Sequence, residues 1–273
     1  MRHNFISSRQ NMLIRRVAGL RDKSARSESR SFIAEGSTLV FEALDCGILP
    51  LNIFINEKKL PYFEQRLSGY GFLSDSVITV VTAEVYAKLS CESAREGILC
   101  ELPQLDNVEI ICNNIRKLPP DRQTRVVILE NLQDPGNVGA IIRCASAFGI
   151  SAVVMSGCAD IYNPKTVRST MGALFKQRIL LAGDIREAVE AVRGAVANIY
   201  AAALTDTARN ISEVDFSEPC AVMIGNEGKG LSSQALSLCD SEVIIPMKHM
   251  ESLNAATATA IIIYQMTRQE EAL

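Results

Sequence analysis

Three short polar segments in the second half of the chain have the residue types of one binding or catalytic site. They are 131–143, which reads Asn-Leu-Gln-Asp-Pro-Gly-Asn-Val-Gly-Ala-Ile-Ile-Arg, then 224–232, and lastly 245–247 with 251–254. Each segment follows an apolar stretch that is predicted to be a strand. Because ligands of open α/β sheets bind at the carboxyl ends of strands, we expect the three segments to line one pocket.

The first two segments contain the candidate side chains Asn137, Arg143 and Glu227. Asn137 lies near a predicted helix N-terminus, where a helix cap is the alternative role. A surface salt bridge is the alternative role for Arg143. Three glycines lie close to Glu227 and would let the backbone approach a ligand, with a plain strand-to-helix connection as the alternative. The glycine spacing matches neither a dinucleotide-binding nor a phosphate-binding loop, which argues against an NAD-dependent oxidoreductase.

The third segment places Ser252 and Asn254 at the start of the last predicted helix, where Ser252 is a candidate cap. Further upstream, residues 163–178 hold four basic residues and no acidic one. Lys165 and Arg168 share one face of a predicted helix there. They could clamp phosphate or form a solvated basic face.

Charge is unevenly distributed along the 273 residues. The net charge is −3, yet residues 1–30 hold eight Lys or Arg against two acidic residues. This asymmetry favours a local contact with a polyanion, for which Arg9, Arg15 and Arg16 are the candidates. A solvated basic helix face is the alternative.

Cysteine usage and hydropathy limit the class of protein. The chain has eight cysteines without a Cys-x-x-Cys pair and only two histidines, so we expect no metal site. The cysteine spacing and the lack of a secretory signal indicate a cytoplasmic protein. The longest apolar stretch, 255–266, is too short to span a bilayer, so we expect no membrane partner.

The predicted elements form an α/β protein with a first domain over 1–102, a linker over 103–124 and a second domain over 125–273. In the first domain a small α/β layer fold is predicted. Its expected strands and helices are strands 31–36, 52–55, 77–81 and 98–102, and helices 6–20, 37–46, 61–67 and one from Thr82. The second domain is predicted to be a mostly parallel sheet covered on both faces. Its expected elements are strands 125–130, 151–155, 178–181, 198–203, 220–224 and 242–245, and helices 138–148, 164–174, 184–193, 231–239 and 252–268.

In this order, the segments closely resemble the motifs of the SpoU (TrmH-type) RNA ribose 2′-O-methyltransferases of the SPOUT superfamily. The first motif is matched by Asn131, Asp134, Pro135, Asn137, Gly139 and Arg143. The second is matched by Gly225, Asn226, Glu227, Gly230 and Leu231. The third is matched by Ile245, Pro246, Met247, Ser252, Leu253 and Asn254. Residues 6–36 also resemble the family's substrate-binding domain, which is similar to certain RNA-binding ribosomal proteins.

The resemblance implies a deep trefoil knot that holds the donor S-adenosylmethionine, and a homodimer formed through the C-terminal domain. It implies that Gly225, Ile245 and Leu253 hold the donor, largely through backbone groups. It places five side chains around the reacting ribose, namely Asn137, Arg143, Glu227, Ser252 and Asn254. The expected substrate is RNA, with large-subunit ribosomal RNA favoured over transfer RNA.

A non-catalytic RNA-binding or ribosome-assembly protein on the same fold stays open as an alternative. Loop 248–251 is one residue shorter than the family's and lacks its usual glycine, which favours that alternative, whereas the intact set of Asn137, Arg143, Glu227, Ser252 and Asn254 argues against it. For an enzyme, the family's arginine is a proposed base, but a guanidinium normally stays protonated. We therefore expect Arg143 to hold phosphate and to stabilise the developing alkoxide, while Glu227 or solvent accepts the proton. Ser252 and Asn254 would orient the ribose.

Overall fold

The structure is a computed structural model that describes residues 4–92, 95–111, 118 and 121–268. Its strands are β1 (Asn4–Ile6), β2 (Ser31–Glu35), β3 (Asn52–Asn56), β4 (Ile78–Val81), β5 (Ile98–Pro103), β6 (Val108–Ile110), β7 (Arg125–Glu130), β8 (Ala152–Ser156), β9 (Ile179–Ala182), β10 (Asn198–Ala202), β11 (Arg209–Asn210), β12 (Cys220–Ile224) and β13 (Ser241–Ile244). Its α-helices are α1 (Met12–Gly19), α2 (Lys23–Ser29), α3 (Ser37–Asp45), α4 (Leu60–Leu67), α5 (Ala83–Leu89), α6 (Pro135–Ala147), α7 (Pro164–Ser169), α8 (Ile185–Arg193), α9 (Ser233–Ser237) and α10 (Ala255–Thr267).

The chain forms two compact units. Unit 1 consists of Met1–Leu105 and Asp160–Phe175, and unit 2 consists of Asp106–Ala159 and Lys176–Leu273. This division differs from the predicted one in two respects. Strand β6, which falls inside the predicted linker 103–124, pairs with β9 and so extends the sheet of unit 2. The segment 160–175, predicted within the second domain, packs in unit 1. Residues 112–117 and 119–120 of the predicted linker lie outside the described residues.

A buried ion pair and a ring contact explain why the segment from Asp160 belongs to unit 1. Arg26 is only 3% exposed, and its Nη2 and Nε donate to Asp160 Oδ2 at 2.5 and 3.2 Å. The ring of Tyr162 lies 4.7 Å from that of Phe32 on β2. The sequence did not predict this packing, because a helix between two strands is typical of a β-α-β unit. The apolar pattern of such a helix does not say which sheet it covers.

The sheet of unit 1 has the order β1-β4-β3-β5-β2. Strands β1, β4 and β3 are parallel, whereas β5 runs antiparallel to β3 and β2. The predicted helix 6–20 is shorter in the structure, because Ile6 ends β1 and the helix begins only at Met12. Asn11 caps it, since its Oδ1 accepts hydrogen bonds from the backbone N–H groups of Leu13 and Ile14. The short helix α2 was not predicted.

The sheet of unit 2 confirms the predicted parallel architecture. Its eight strands have the order β11-β13-β10-β12-β7-β8-β9-β6, and every recorded pairing is parallel. Helix α8 packs its apolar residues against buried side chains of the central strands. Helix α10 packs against α6 and also contacts β12. It begins at Ala255 rather than at the predicted residue 252. Within the described ranges no helix is long and apolar enough to cross a membrane.

We predict that Asp160→Ala destabilises the protein by about 3 kcal/mol, because it leaves the buried guanidinium of Arg26 without its carboxylate. Urea-induced unfolding followed by circular dichroism measures the effect. Arg193→Ala is the control, since the Arg193–Asp240 pair is 40% and 39% exposed. Its loss should cost less than about 1 kcal/mol. Equal losses in the two variants would contradict the structural role of the Arg26–Asp160 pair.

Candidate functional site

The three motif loops lie at one edge of the unit 2 sheet. They follow β7, β12 and β13, three strands that run in the same direction in this parallel sheet. The first two loops are in direct contact, because Asn226 Nδ2 donates a 2.9 Å hydrogen bond to the carbonyl oxygen of Asn131. The three segments therefore lie together at one edge of the sheet, as predicted.

The carboxylate of Glu227 binds the first motif loop to the second. Its Oε1 accepts hydrogen bonds of 3.1 Å from the backbone N–H of Asp134 and from Asn137 Nδ2. Its Oε2 accepts from the backbone N–H of Gln133 at 3.3 Å. Partial burial would raise the pKa of Glu227, but the hydrogen bonds from Asn137 and from these backbone groups lower it below its ordinary value of 4.5. A carboxyl group with a lowered pKa is a weak proton acceptor at neutral pH.

A second hydrogen bond extends this connection to the third loop. Asn254 Nδ2 donates to Asn137 Oδ1 at 2.9 Å. Asn254 also caps α10, because its Oδ1 accepts from the N–H groups of Ala256 and Thr257. The cap of α6 is Asp134, whose Oδ1 accepts from two N–H groups of the first helical turn. The capping roles considered for Asn137 and Ser252 are therefore wrong, and Ser252 lies exposed before α10.

Arg143 is exposed, and its side chain forms no hydrogen bond or ion pair in the described part of the chain. The surface salt bridge considered for it is absent there. At about 100° per residue, six positions along α6 place Arg143 roughly 120° around the helix from Asn137. The two side chains leave the helix on different sides. The guanidinium is thus available for a phosphate or another anion.

A cavity of about 520 Å³ opens between the second and third motif loops. Its size lies within the ~300–1,000 Å³ typical of small-molecule sites. Apolar side chains form part of the wall, including Ile224, Val243 and Ile262. The predicted site residues that line the cavity are Gly225, Glu227, Ile245, Ser252 and Leu253. Those that do not line it are Asn137, Arg143 and Asn254.

The backbone beside the cavity requires glycine at position 225. A Cβ on Gly225 would collide with the peptide that joins Gly230 to Leu231. The loop folds back at this point, because Asn226 and Gly230 exchange backbone hydrogen bonds of 3.0 and 2.9 Å. Gly230 itself has a φ of +68°, a conformation that favours glycine. The glycines of the second motif therefore shape the cavity wall.

Two carboxyl groups near the loops were not singled out from the sequence. Glu130 ends β7, and its carboxyl oxygens accept hydrogen bonds from the backbone N–H and Oγ of Ser232. Glu242 on β13 accepts from the hydroxyl groups of Thr205 and Thr207, in the connection that forms one cavity wall. For Glu130 the available signal was an acidic residue at the end of a buried strand, which indicates a partner but not its identity.

The five basic candidates for RNA binding all lie in unit 1, and they differ in their contacts. Arg9 and Arg15 are exposed, and their side chains form no hydrogen bond or ion pair within the described ranges. Arg16 instead donates to both oxygens of the buried Glu101, at 2.6 and 2.8 Å. Arg168 forms an ion pair with Glu92, while Lys165 is exposed. Arg9 and Arg15 are thus the arginines of this set with guanidinium groups open to an external anion.

Two family models match the chain. The model described as the SpoU rRNA Methylase family matches residues 124–264, and the one described as the MRM3-like substrate binding domain matches residues 11–100. Together they cover most of both units.

Similar proteins and structures are RNA methyltransferases. The Bacillus subtilis 23S rRNA (guanosine(2553)-2′-O)-methyltransferase RlmP is 30% identical, over 96% of this chain and 98% of its own. The Thermus thermophilus tRNA (guanosine(18)-2′-O)-methyltransferase is 36% identical, over 57% of this chain and 78% of its own. The crystal structure of an AdoMet-bound rRNA methyltransferase from Sinorhizobium meliloti superposes with a TM-score of 0.82 at 26% identity, over 97% of this chain and 98% of its own.

We predict that Gly225→Ala destabilises unit 2 by about 1–3 kcal/mol, because the added methyl group must displace a backbone peptide. Gly228→Ala is the matched control, since the nearest atom to a Cβ there is Asn226 Oδ1 at 3.8 Å. Thermal unfolding should separate the two variants clearly. A Gly225→Ala protein as stable as Gly228→Ala would show that the loop accommodates a side chain.

Proposed function

The chain belongs to the SpoU rRNA methylase family, and we propose that it transfers a methyl group from S-adenosylmethionine to a ribose 2′-hydroxyl of large-subunit ribosomal RNA. The observation that carries this proposal is the convergence of the three motif loops at one sheet edge, with a cavity beside the hydrogen-bonded side chains Glu227, Asn137 and Asn254. The protein is an S-adenosylmethionine-dependent RNA 2′-O-methyltransferase.

The cavity fits S-adenosylmethionine in size and in chemistry. Its walls combine apolar side chains with the backbone of the second and third loops, as expected for a ligand held largely by main-chain groups. Gly225, Ile245 and Leu253 line it and are the proposed donor-binding residues. A cavity of this size is present beside loop 248–251, with Met247 and Glu251 in its lining. Its presence favours the enzyme over the non-catalytic alternative.

When bound, S-adenosylmethionine supplies a methyl group on a positively charged sulfur. The chain's own task is to hold the ribose hydroxyl in line and to stabilise the charge that develops on its oxygen. We assign the second task to Arg143, whose exposed guanidinium is available to an RNA phosphate. Ser252, exposed at the cavity edge, and Asn254 would orient the ribose through hydrogen bonds.

We assign Glu227 to holding the loops together rather than to accepting the proton. Its oxygens already accept hydrogen bonds from Asp134, Asn137 and Gln133, and its pKa is lowered by them although burial opposes the shift. The sequence analysis considered Glu227 and solvent as proton acceptors. Because Glu227 is assigned to the loops, we propose that solvent accepts the proton. Glu227 would hold the side-chain amide of Asn137 in the orientation in which it contacts the ribose.

Ribosomal RNA is favoured as the substrate because a relative that spans 96% of the chain is named for 23S rRNA. A relative named for transfer RNA matches 57% of the chain, so transfer RNA stays the second candidate. Unit 1 would select the RNA, as the description of its matching family model suggests. Its likeness to certain RNA-binding ribosomal proteins remains a prediction, as does the cytoplasmic location, which cell fractionation tests.

A trefoil knot is supported by the order of the strands. Strand β13 lies between β10 and β11, and both pair with it at Val243. The connection 203–208 must therefore cross β13, close to where the chain continues into the third motif loop. We propose that this loop passes under the connection. An experimental structure in which the third motif loop does not pass under connection 203–208 would contradict the knot.

A homodimer through unit 2 is supported by exposed apolar side chains on α10 and at the end of α6. Tyr264 is 54% exposed and Phe148 is 40% exposed, and their rings lie 6.0 Å apart. We propose that this surface, together with the exposed Ile261, is covered by a second copy of the chain. Sedimentation equilibrium tests this, and a monomer at micromolar concentration would refute it.

We predict that Arg143→Ala reduces methyl transfer to RNA by at least about 100-fold, because the developing oxyanion loses its cationic partner. Binding of S-adenosylmethionine, measured by calorimetry, should be unchanged because Arg143 does not line the cavity. Arg186→Ala removes another exposed arginine of unit 2 and is the control. Near-normal turnover of Arg143→Ala would refute its assigned role.

We predict that the double variant Arg9→Glu/Arg15→Glu weakens RNA binding and lowers the salt dependence of log K by about 2, one unit for each lost phosphate contact. Lys58→Glu/Lys59→Glu makes the same charge change at another exposed position of unit 1. Binding to a ribosomal RNA fragment at several salt concentrations compares them. An equal effect of both pairs would mean that charge alone, not this surface, determines RNA affinity.

A further inference from the structure

Glu130 is a buried acidic residue to which neither the motifs nor the reaction assigns a role. It is 3% exposed at the carboxyl end of β7. No lysine, arginine or histidine in the described part of the chain forms an ion pair with it. Its partner is Ser232, whose Oγ donates to Oε1 at 2.6 Å and whose backbone N–H donates to Oε2 at 2.8 Å. A buried polar group that is retained needs such hydrogen bonds.

Ser232 directly follows the part of the second motif loop that forms the cavity wall. Gly230 and Leu231 line the cavity, and the peptide between them lies against the Cα of Gly225. Glu130 holds the next residue, Ser232, by two hydrogen bonds. The peptide is therefore confined by Gly225 on one side and by the Glu130–Ser232 contact at its end.

We propose that Glu130 is a positioning residue for the donor cavity, which acts through Ser232 to fix the Gly230–Leu231 wall. The inference rests on the proposed function, since it takes S-adenosylmethionine as the ligand of the cavity. A carboxyl group suits this role because a carboxylate offers two acceptors to the two donors of one serine. A glutamine has the same shape but only one acceptor, with a donor amide in place of the other oxygen.

The test is calorimetric binding of S-adenosylmethionine to the full-length protein and to Glu130→Gln. We expect an increase in Kd of about tenfold, the effect of about one lost hydrogen bond. In turnover, KM for the donor should rise similarly, while kcat at saturating donor stays within about twofold because Glu130 is not a ribose-site residue. A change in kcat without a change in Kd would overturn the proposal.

Glu101→Gln is the matched control for the effect of disturbing a buried carboxyl group. Glu101 lies in unit 1, is fully buried and also accepts a hydrogen bond from a serine hydroxyl, that of Ser31 at 2.8 Å. We expect it to lower the thermal unfolding temperature and to leave the Kd for S-adenosylmethionine unchanged. If Glu130→Gln lowers stability in the same way with an unchanged Kd, its role is only structural and the proposal fails.

A Ser232→Ala background provides the second test. It removes the hydroxyl donor, so the single acceptor of glutamine suffices for the remaining N–H. Adding Glu130→Gln to this background should change the Kd less than about twofold, whereas a further tenfold loss would show that Glu130 does not act through Ser232. Failure of the proposed function gives a different result, since the unmodified protein would then not bind S-adenosylmethionine at all.

Discussion

The hydrogen-bond chain from Glu227 through Asn137 to Asn254 joins three loops that are more than 100 residues apart at their extremes. Each member has a further contact within the site. Asn254 caps α10, Glu227 accepts backbone N–H groups of the first loop, and Asn137 lies in the first turn of α6. Because the amide of Asn137 is bound at both its nitrogen and its oxygen, its orientation is determined, and so are the positions of the two neighbouring loops.

Acidic side chains hold the loops at the carboxyl edge of the sheet. Glu227 binds the first loop, Glu130 binds the end of the second, and Glu242 holds the connection between β10 and β11 through two threonine hydroxyls. Backbone N–H groups and hydroxyls at this edge are donors that a carboxylate can satisfy in pairs. In this way paired hydrogen bonds to carboxylates determine the shape of the site.

Unit 1 uses its basic residues in two ways. Arg26 and Arg16 form ion pairs with the internal carboxylates of Asp160 and Glu101. Arg9 and Arg15 are exposed and form no such pair among the described residues. Burial raises the pKa of Glu101, but the hydrogen bonds from Arg16, Ser31 and Asn52 hold it below its usual value, so this group is a charged member of the core. The local excess of positive charge in the sequence therefore overstates the charge that is available to RNA.

The amino-acid sequence alone determined the parallel α/β architecture of unit 2, the edge at which the motifs meet, and the family. Strand and helix periods are local, and the three motifs are contiguous stretches whose order and spacing are specific. Only the tertiary structure decided that segment 160–175 belongs to unit 1, that Asp134 rather than Asn137 caps α6, and that Arg16 is bound to Glu101. Each of these depends on a partner that is distant in sequence or on one of several nearby polar groups, and no local pattern identifies which partner a charged or amide side chain will find.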